Sequence, residues 1–188
     1  MEENNSQFVE CVPNFSEGHN IETINAIAEA IRSVDGVHIL HIDRGEAANR
    51  AVITFTGPAD AVVESAFRMV KRASELIDMR QHHGEHPRIG ATDVLPLIPL
   101  KNITLEECAQ RARALAERIY KELGIPTYCY EAAALRPEHI NLADCRHGEY
   151  EGLKEKMLDA VMHPDFGGEE YTHQAALSGA TVVGARNF

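Results

Sequence analysis

The sequence predicts an α+β protein: one mixed sheet of about six strands, with helices mainly on one face of it. Two observations lead to this expectation. The 188 residues are 44% hydrophobic, which is enough for one well-buried core. Along that length, stretches with the two-residue period of a strand alternate with stretches that have the 3.6-residue period of a helix.

Three strands are predicted in the first third of the chain, where β-branched and aromatic residues cluster or alternate with polar ones. They cover residues 8–14, 37–43 and 51–57. Apolar residues at helical spacing predict two helices in the same region. These cover residues 21–34, which end before Asp35-Gly36, and residues 59–78.

The remainder of the chain continues the alternation. Strands are predicted at 93–100, 127–132 and 180–188, and helices at 104–123 and 149–161. Thr104 and Glu107 have the spacing of a capping box, which fixes the start of the third helix. Pro96 and Pro99 lack amide donors, so their strand is expected at a sheet edge or in an irregular position. Residues 165–179 are expected to form a loop.

The order of elements through residue 100 is strand, helix, strand, strand, helix, strand. This order is typical of a ferredoxin-like split βαβ sandwich. Helices on one face leave the other face in need of a cover, which a partner, a second domain or a ligand can supply. Residues 1–7 are predicted to be disordered, and residues 8–188 to form the folded unit.

Composition argues against several classes of function. The formal net charge is −11, from 29 acidic and 18 basic residues, so the chain is expected to bind neither nucleic acid nor a membrane surface. No apolar run approaches the roughly 18 residues that suggest a membrane span, and the polar N-terminus lacks the features of a secretory signal. The four cysteines form no CxxC pair, which favours reduced thiols and a cytoplasmic protein.

A histidine-rich segment, HHGEH at residues 82–86, matches the H-x-x-E-H pattern of inverted zinc peptidases. That chemistry needs both outer histidines on one face of a helix. Gly84 lies between them, and Pro87 disfavours the helical conformation at His86. The sequence therefore predicts no metal site here.

His86 is instead a candidate proton-transfer residue. Glu85 could orient one of its ring nitrogens, and the Pro-Arg step that follows stiffens the backbone and adds a cation. An imidazole held in this way meets the needs of a general base. The alternative, that these are ordinary solvated loop residues, is preferred for His82 and His83 and stays open for His86.

Other polar residues at strand ends and turns have both an ordinary and a functional interpretation. Turn, capping or surface positions explain them as well as ligand contacts do. They are Asn14, Asp43, Asn49, Arg50 and Arg88. The segment Ser16-Glu17-Gly18 precedes a predicted helix, so it either binds an anion at the helix N-terminus or caps the helix.

Two long stretches carry a resemblance to a known family. FVECVPNFSEGHN (8–20) and SELIDMRQHHGEHPRIGATDVLPLIP (74–99) resemble the amino-terminal subdomain of glutamate formiminotransferase, the folate-dependent enzyme of histidine breakdown that occurs alone or fused to a cyclodeaminase. Supporting stretches lie at 41–58, 147–153, 163–167 and 179–186. One departure is YCYEAAA (128–134), where the family usually has a glycine before Glu-Ala-Ala.

The resemblance implies a reaction and roles for particular residues. The formimino group would move from N-formimino-L-glutamate to N5 of tetrahydrofolate, which is a cosubstrate, and no metal is implied. The catalytic base of the family maps onto His86. Asp43 and Asn14 match positions that line the active-site groove, where they would stabilise or orient the cationic amidine and the pterin.

The remaining binding residues are our own expectations. We expect Arg50 and Arg88 to pair with substrate carboxylates, and Asn49 and Glu85 to belong to the substrate- and folate-binding set. The expected small-molecule partners are folate and formiminoglutamate.

The length of the chain leaves two functions open. Full transferases of the family carry a second, related subdomain, with folate in a tunnel between the two. This chain matches the first subdomain only, which fits an excised fragment, a natural single-subdomain homologue or half of a two-chain enzyme. It could therefore be a formiminotransferase half that needs a second subdomain or a homodimer, or a non-catalytic homologue that binds folate weakly or acts as an interaction protein.

Overall fold

The protein is described by a computed structural model that covers residues 5–168 and 170–188. Among these residues, the strands are β1 (Phe8–Cys11), β2 (Asn14–Phe15), β3 (His38–Gly45), β4 (Arg50–Pro58), β5 (Thr92–Lys101), β6 (Thr127–Glu131) and β7 (Thr181–Ala185). The α-helices are α1 (Ile21–Arg32), α2 (Ala59–Leu76), α3 (Leu105–Leu123), α4 (Leu142–Arg146), α5 (Glu149–Lys156) and α6 (His173–Ser178). Short 3₁₀ turns cover Met79–Gln81 and Pro137–His139.

The predicted disordered segment 1–7 lies mostly outside the described residues, because these begin at residue 5. Of its described members, Gln7 is held on both sides of its amide group. It donates to Glu107 at 3.2 Å and accepts from Arg111 at 2.9 Å. These bonds tie the start of the chain to α3.

The sheet is mixed, and the fold predicted from the order of elements is confirmed. β1 and β2 are two pieces of one interrupted strand between β4 and β5, and both pieces are antiparallel to these neighbours. β3 pairs with the outer side of β4. On the other side, β7 is parallel to β5, and β6 is parallel to β7. The result is the split βαβ sheet with two added strands, β6 and β7, and four added helices, α3 to α6.

Of the two positions that the prolines predicted for β5, the sheet edge is wrong, because β5 lies at the centre of the sheet, and the irregular position is confirmed. The missing amide donors fall where the neighbouring strands are themselves irregular. Pro96 lies opposite the break between β1 and β2, and Pro99 lies beside a register shift at Val9. β7 ends at Ala185, opposite Leu97, so it requires no amide from residue 99. The sheet therefore tolerates both prolines without losing a regular ladder.

Two cores lie on opposite faces of the sheet. The larger one packs α1, α2 and α3 against one face and includes Ile27, Phe55 and Leu97. The smaller one includes Tyr128, Leu153 and other buried residues from 89 to 182, and it lies beneath the segment that contains α4, α5 and α6. The chain therefore covers part of the second face by itself. The rest of that face, over β1, β2, β4 and β5, remains open.

The short helices were the least predictable elements. α6 lies inside the predicted loop 165–179, α4 was not predicted, and the helix predicted at 149–161 ends at Lys156. Helices of five to eight residues show too few turns for an apolar period to be visible. By contrast, α3 begins with the predicted capping box of Thr104 and Glu107 and ends at Gly124, which adopts the left-handed conformation.

The four cysteines, Cys11, Cys108, Cys129 and Cys145, are buried free thiols. In the part of the chain that the structure describes, no helix combines the length and apolar composition needed to span a bilayer.

Candidate functional site

A groove of about 380 Å³ occupies the open part of the second sheet face. Its apolar surface is contributed by Val12, Val94, Pro96, Ile98, Tyr130, Leu142 and Phe188. Its polar groups are Asn14, Arg50, His86, Arg146, Arg186 and Asn187. A larger cavity of about 570 Å³ lies by α4 and α5 but contains none of the predicted site residues. An apolar cleft with a few convergent polar groups is the usual form of a ligand site, so the groove is the candidate site.

The ring of His86 is held at both nitrogens. Its Nδ1 lies 2.6 Å from the Pro87 carbonyl oxygen, and its Nε2 lies 2.7 Å from Nη1 of Arg50. A carbonyl only accepts and a guanidinium only donates, so the ring is neutral, with its proton on Nδ1 and its lone pair on Nε2. The expectation that Glu85 could orient the ring is not met, since the Pro87 carbonyl takes that role and the Glu85 side chain is exposed.

Arg50 links this histidine to the charges of the groove. Burial, the largest effect, and the nearby Arg146 cation lower the pKa of Arg50, whereas Asp93 and Asp43 raise it. Its Nε is buried and has no hydrogen-bond partner among the described residues. A buried N–H donor without a partner costs free energy, which favours the binding of an acceptor at Nε.

The strand register explains why Asn14, Asp43 and Arg50 face the same side of the sheet. Asn14 pairs with Val52, Val52 pairs with Asp43, and Arg50 lies two residues before Val52 on β4. Paired residues on neighbouring strands, and residues two apart on one strand, point to the same face. The sequence-predicted residues Asn14, Arg50 and His86 therefore come together in the groove, and Asp43 lies exposed on the edge strand two strands away from Asn14.

Asn14 lines the groove and carries an unsatisfied acceptor. Its Nδ2 donates to the Val12 carbonyl at 3.3 Å, while its Oδ1 is buried and unpartnered within the described residues. Burying an amide oxygen without a donor is unfavourable, so this atom is suited to accept from a bound N–H group.

Arg88 lies outside the groove, in an internal ion-pair network. Its guanidinium donates to both carboxylate oxygens of Glu151 at 2.8 and 2.6 Å, and its Nε donates to Nδ1 of His82 at 3.0 Å. It also pairs with Glu149 at 3.4 Å. These contacts occupy the donors that a substrate carboxylate would need.

The interpretation of His82 as a solvated residue is wrong, although His83 is exposed as expected. His82 is 7% exposed, accepts from Arg88, and has its Nε2 2.9 Å from the Asn49 carbonyl. Burial, above all, and the Arg88 cation lower the pKa of His82, against an opposing effect of the Asn49 carbonyl. His82 is therefore a buried neutral histidine with its proton on Nε2.

Asn49 fastens the histidine segment to the rest of the fold. Its backbone has a positive φ of 47°, its Oδ1 accepts from the Gly18 amide at 2.9 Å, and its Nδ2 donates to the His83 carbonyl at 2.8 Å. Glu17, the residue before Gly18, accepts from the amides of His19 and Asn20. The cap of α1 is Asn20, whose side chain accepts from the Thr23 amide, so the Ser-Glu-Gly segment shapes the turn before the helix and does not cap it.

The zinc-peptidase pattern does not form a ligand set. Residues 82–88 are not helical, and the rings of His82 and His86 make separate contacts with Arg88 and Arg50. Within residues 5–168 and 170–188, no group of three histidine, cysteine or carboxylate side chains is placed to hold a metal ion.

Three groove residues were missed by sequence reasoning: Tyr130, Arg146 and Arg186. Arg146 and Arg186 come from α4 and from the segment after β7, far along the chain from His86. Only the parallel pairing of β5 with β7 and the packing of α4 bring them to the groove. The sequence contained no local signal for this arrangement beyond the quoted stretches 147–153 and 179–186 that flank or include them.

Comparisons with known proteins agree with the resemblance seen in the sequence. Residues 8–186 match the formiminotransferase domain, N-terminal subdomain. The chain is 48% identical over 181 residues to a glutamate formimidoyltransferase of Streptococcus pyogenes serotype M1, an alignment that covers 96% of this chain and 60% of that protein. It is also 48% identical over 183 residues to the formimidoyltransferase-cyclodeaminase of Rattus norvegicus, with 97% of this chain and 33% of that protein covered.

An archaeal relative shows the same partial coverage. A glutamate formimidoyltransferase of Thermoplasma acidophilum is 46% identical over 182 residues, which are 96% of this chain and 59% of that protein. The chain thus spans between one third and three fifths of the length of these relatives.

Proposed function

The chain belongs to the formiminotransferase family, whose N-terminal subdomain it matches, and from that premise we propose that it supplies the general base for formimino transfer. The formimino group would pass from N-formimino-L-glutamate to N5 of tetrahydrofolate, which acts as a cosubstrate. The observation that carries the proposal is the neutral ring of His86, whose Nε2 lone pair lies at the groove.

One imidazole can serve both halves of this reaction. When N5 attacks the amidine carbon, a new C–N bond forms and N5 loses a proton, which Nε2 of His86 accepts. The tetrahedral intermediate then breaks its bond to the glutamate nitrogen, and the imidazolium returns the proton to that leaving amine. The proton count is thus closed within one turnover, as general acid–base catalysis requires.

Arg50 would control when the base is free. In the structure, Nη1 of Arg50 donates to the lone pair on Nε2 of His86 at 2.7 Å. A substrate carboxylate binds a guanidinium more strongly than a neutral imidazole does, so an entering carboxylate would draw Arg50 away and release Nε2. Arg186, exposed at the groove, would be a second carboxylate partner. We give it the role first expected of Arg88, whose donors are occupied.

The other predicted residues have roles that fit their places. The open Oδ1 of Asn14 would accept from a pterin or amidinium N–H, and the exposed carboxylate of Asp43 would favour the cationic amidine. Asn49 would act by holding the histidine segment, and Glu85, exposed next to His86, would meet ligand at the groove rim.

We further propose that the chain needs a partner. The relatives extend well beyond the matched region, and the open sheet face lacks a second wall for the groove. A second formiminotransferase subdomain would supply that wall, and a second copy of this chain is the alternative occupant. A cytoplasmic location is part of the proposal, because four buried free thiols suit a reducing compartment.

The experiment supplies a partner from a relative. The chain is mixed with the portion of the Streptococcus pyogenes relative that lies beyond the matched region, and transfer is measured with His86→Gln and with the control His83→Gln. We expect transfer by the mixture, a loss of about 10²–10⁴-fold for His86→Gln, and no change for the exposed control. Retention of activity by His86→Gln would contradict the proposal. Binding of tetrahydrofolate analogues without transfer in any mixture would favour the non-catalytic homologue instead.

A further inference from the structure

We propose that Asp93 and Arg146 form a positioning pair for His86, which fixes the backbone around the ring and keeps its proton on Nδ1. The relevance of this pair to catalysis rests on the proposed function. Its effect on the orientation and protonation of His86 does not. Neither residue is assigned a role by the resemblance described above.

Arg146 reaches the acceptor on which His86 depends. Its Nη1 donates to Asp93 Oδ2 at 2.9 Å and lies 3.4 Å from the Pro87 carbonyl oxygen. That carbonyl is the group to which Nδ1 of His86 donates at 2.6 Å. The guanidinium therefore touches both the carbonyl that orients the ring and the carboxylate behind it.

Asp93 fixes the same segment from the sheet. It is 2% exposed at the start of β5, and its Oδ1 accepts from the Ile89 amide at 2.8 Å. Both carboxylate oxygens thus receive bonds from groups that only donate, which favours the ionised form. Burial raises the pKa of Asp93, and Arg146 and the Ile89 amide oppose that effect. The carboxylate holds the backbone three residues after His86 and the guanidinium at the same time.

The pair also balances the charge around the ring. The charged or titratable groups that share a pocket with His86 come from β4, β5, β6, the histidine segment, α4 and the segment after β7: Arg50, His82, Arg88, Asp93, Tyr130, Arg146 and Arg186. Arg88 is compensated by Glu149 and Glu151. Asp93 is therefore the anion that offsets Arg146, and without it the Arg146 cation would add to those of Arg50 and Arg186 in opposing protonation of the ring.

This arrangement gives a charge test with a defined sign. In Asp93→Asn, Arg146 is uncompensated, so the imidazolium is disfavoured and the pH midpoint at which His86 gains its second proton falls. In the double variant Asp93→Asn/Arg146→Met neither charge remains, so most of the shift is reversed. A merely structural role predicts the opposite for the double variant, because two losses of packing should disturb the ring more than one.

The test uses the whole chain with ¹⁵N-labelled histidine, and it follows the ring nitrogens by NMR as the pH is changed. We expect the His86 midpoint to fall on the order of half a pH unit or more in Asp93→Asn and to return in the double variant. Asp165→Asn is the matched control, since Asp165 is also buried and paired with an arginine but lies by His139. It should leave the His86 midpoint unchanged. An unchanged midpoint in Asp93→Asn, or a further fall in the double variant, would overturn the proposal.

A second variant keeps the test open should Asp93→Asn fail to fold. Arg146→Lys retains the cation but has a single ammonium group, which cannot reach Asp93 and the Pro87 carbonyl in the same fork geometry. The ring ¹⁵N shifts should then show a smaller share of the Nδ1–H tautomer. An unaltered tautomer share would contradict the positioning role. These readouts need no turnover, so they stand or fall separately from the transfer assay.

Discussion

Two histidines only four positions apart are held in opposite tautomers. His82 keeps its proton on Nε2, because Nδ1 accepts from Arg88, and His86 keeps its proton on Nδ1, because Nε2 accepts from Arg50. In each case an arginine determines which nitrogen carries the lone pair. The lone pair of His82 is thereby buried in the protein, and that of His86 lies at the groove.

The buried histidine predicts a specific pH dependence of stability. The pKa of His82 is lowered from its ordinary value near 6.5, mainly by burial. As the pH falls below that value, the unfolded chain gains a proton that the folded chain does not, so the free energy of unfolding decreases. The loss continues until the pH reaches the lowered pKa of the folded state.

His82→Gln should remove this contribution. We expect the variant to be less stable by about 1–2 kcal/mol at neutral pH, through its lost hydrogen bonds, and to lose less stability than the native chain between about pH 6.5 and pH 5. Urea unfolding at a series of pH values measures both effects, and the exposed His83→Gln is the control. An equal pH slope in the native chain and His82→Gln would contradict a buried neutral histidine.

For individual residues, the sequence predicted which residue types belong to the site. It did not predict which arginine faces the groove and which one is held in an ion pair. Arg50 and Arg88 had the same status in the sequence, yet one faces the groove and the other is closed within an ion-pair network. The difference depends on Glu149 and Glu151, about sixty residues away. Local sequence carries no information about such a partner.

At the scale of elements, the groove depends on a close crossing of two loops. Gly90, which follows the histidine segment, forms an isolated bridge with Gly179, which ends α6. Gly179 has φ 65° and ψ −150°, a region that is essentially limited to glycine. A Cβ atom there would overlap the carbonyl oxygen of Ile89. The crossing therefore holds the backbone next to Asp93 and His86.

Two glycine substitutions separate this contact from ordinary helix propensity. Gly179→Ala should destabilise the protein by at least about 2 kcal/mol, from backbone strain and the overlap with Ile89. Gly152→Ala, in the interior of α5 with open space around it, should instead stabilise by about 0.5–1 kcal/mol. Thermal unfolding of both variants gives the comparison. A neutral Gly179→Ala would show that the two loops can move apart.

Elements with several turns or a full strand were predictable because their period is visible in the residues themselves. The position of β5 was not, since the penalty for a proline depends on what the neighbouring strand does at that point. The break after Cys11 removes the need for an amide at Pro96. The pairing of β5 with β1 and β2 thus decides whether a proline is tolerated, and these strands are distant from β5 in the sequence.

For the whole molecule, the charge of the groove opposes the charge of the chain. Three guanidinium groups, of Arg50, Arg146 and Arg186, line a site on a protein with a formal net charge of −11. Contacts in the groove attract a carboxylate at short range, while the summed field repels it at long range. The attraction acts over a shorter range than the repulsion, so salt screens the repulsion more strongly.

Salt should accelerate the encounter with an anionic folate. Between low salt and about 0.15 M, where the Debye length is about 8 Å, we expect the association rate constant of a glutamate-bearing folate analogue to rise about two- to fivefold. Stopped-flow measurements with the analogue, and with a neutral pterin as control, test this on the chain mixed with the portion of the Streptococcus pyogenes relative that lies beyond the matched region. A rate that falls with salt would show that the local cations dominate the approach of the ligand.

The distribution of thiols between the two cores has a practical consequence. Cys11, Cys108 and Cys129 belong to the core beneath α1, α2 and α3, and Cys145 belongs to the smaller core on the groove side. A thiol reagent can reach any of them only when its surroundings open. The rate at which each one is alkylated therefore reports the opening of its own core, so native cysteines can show whether the groove side loosens before the rest of the fold.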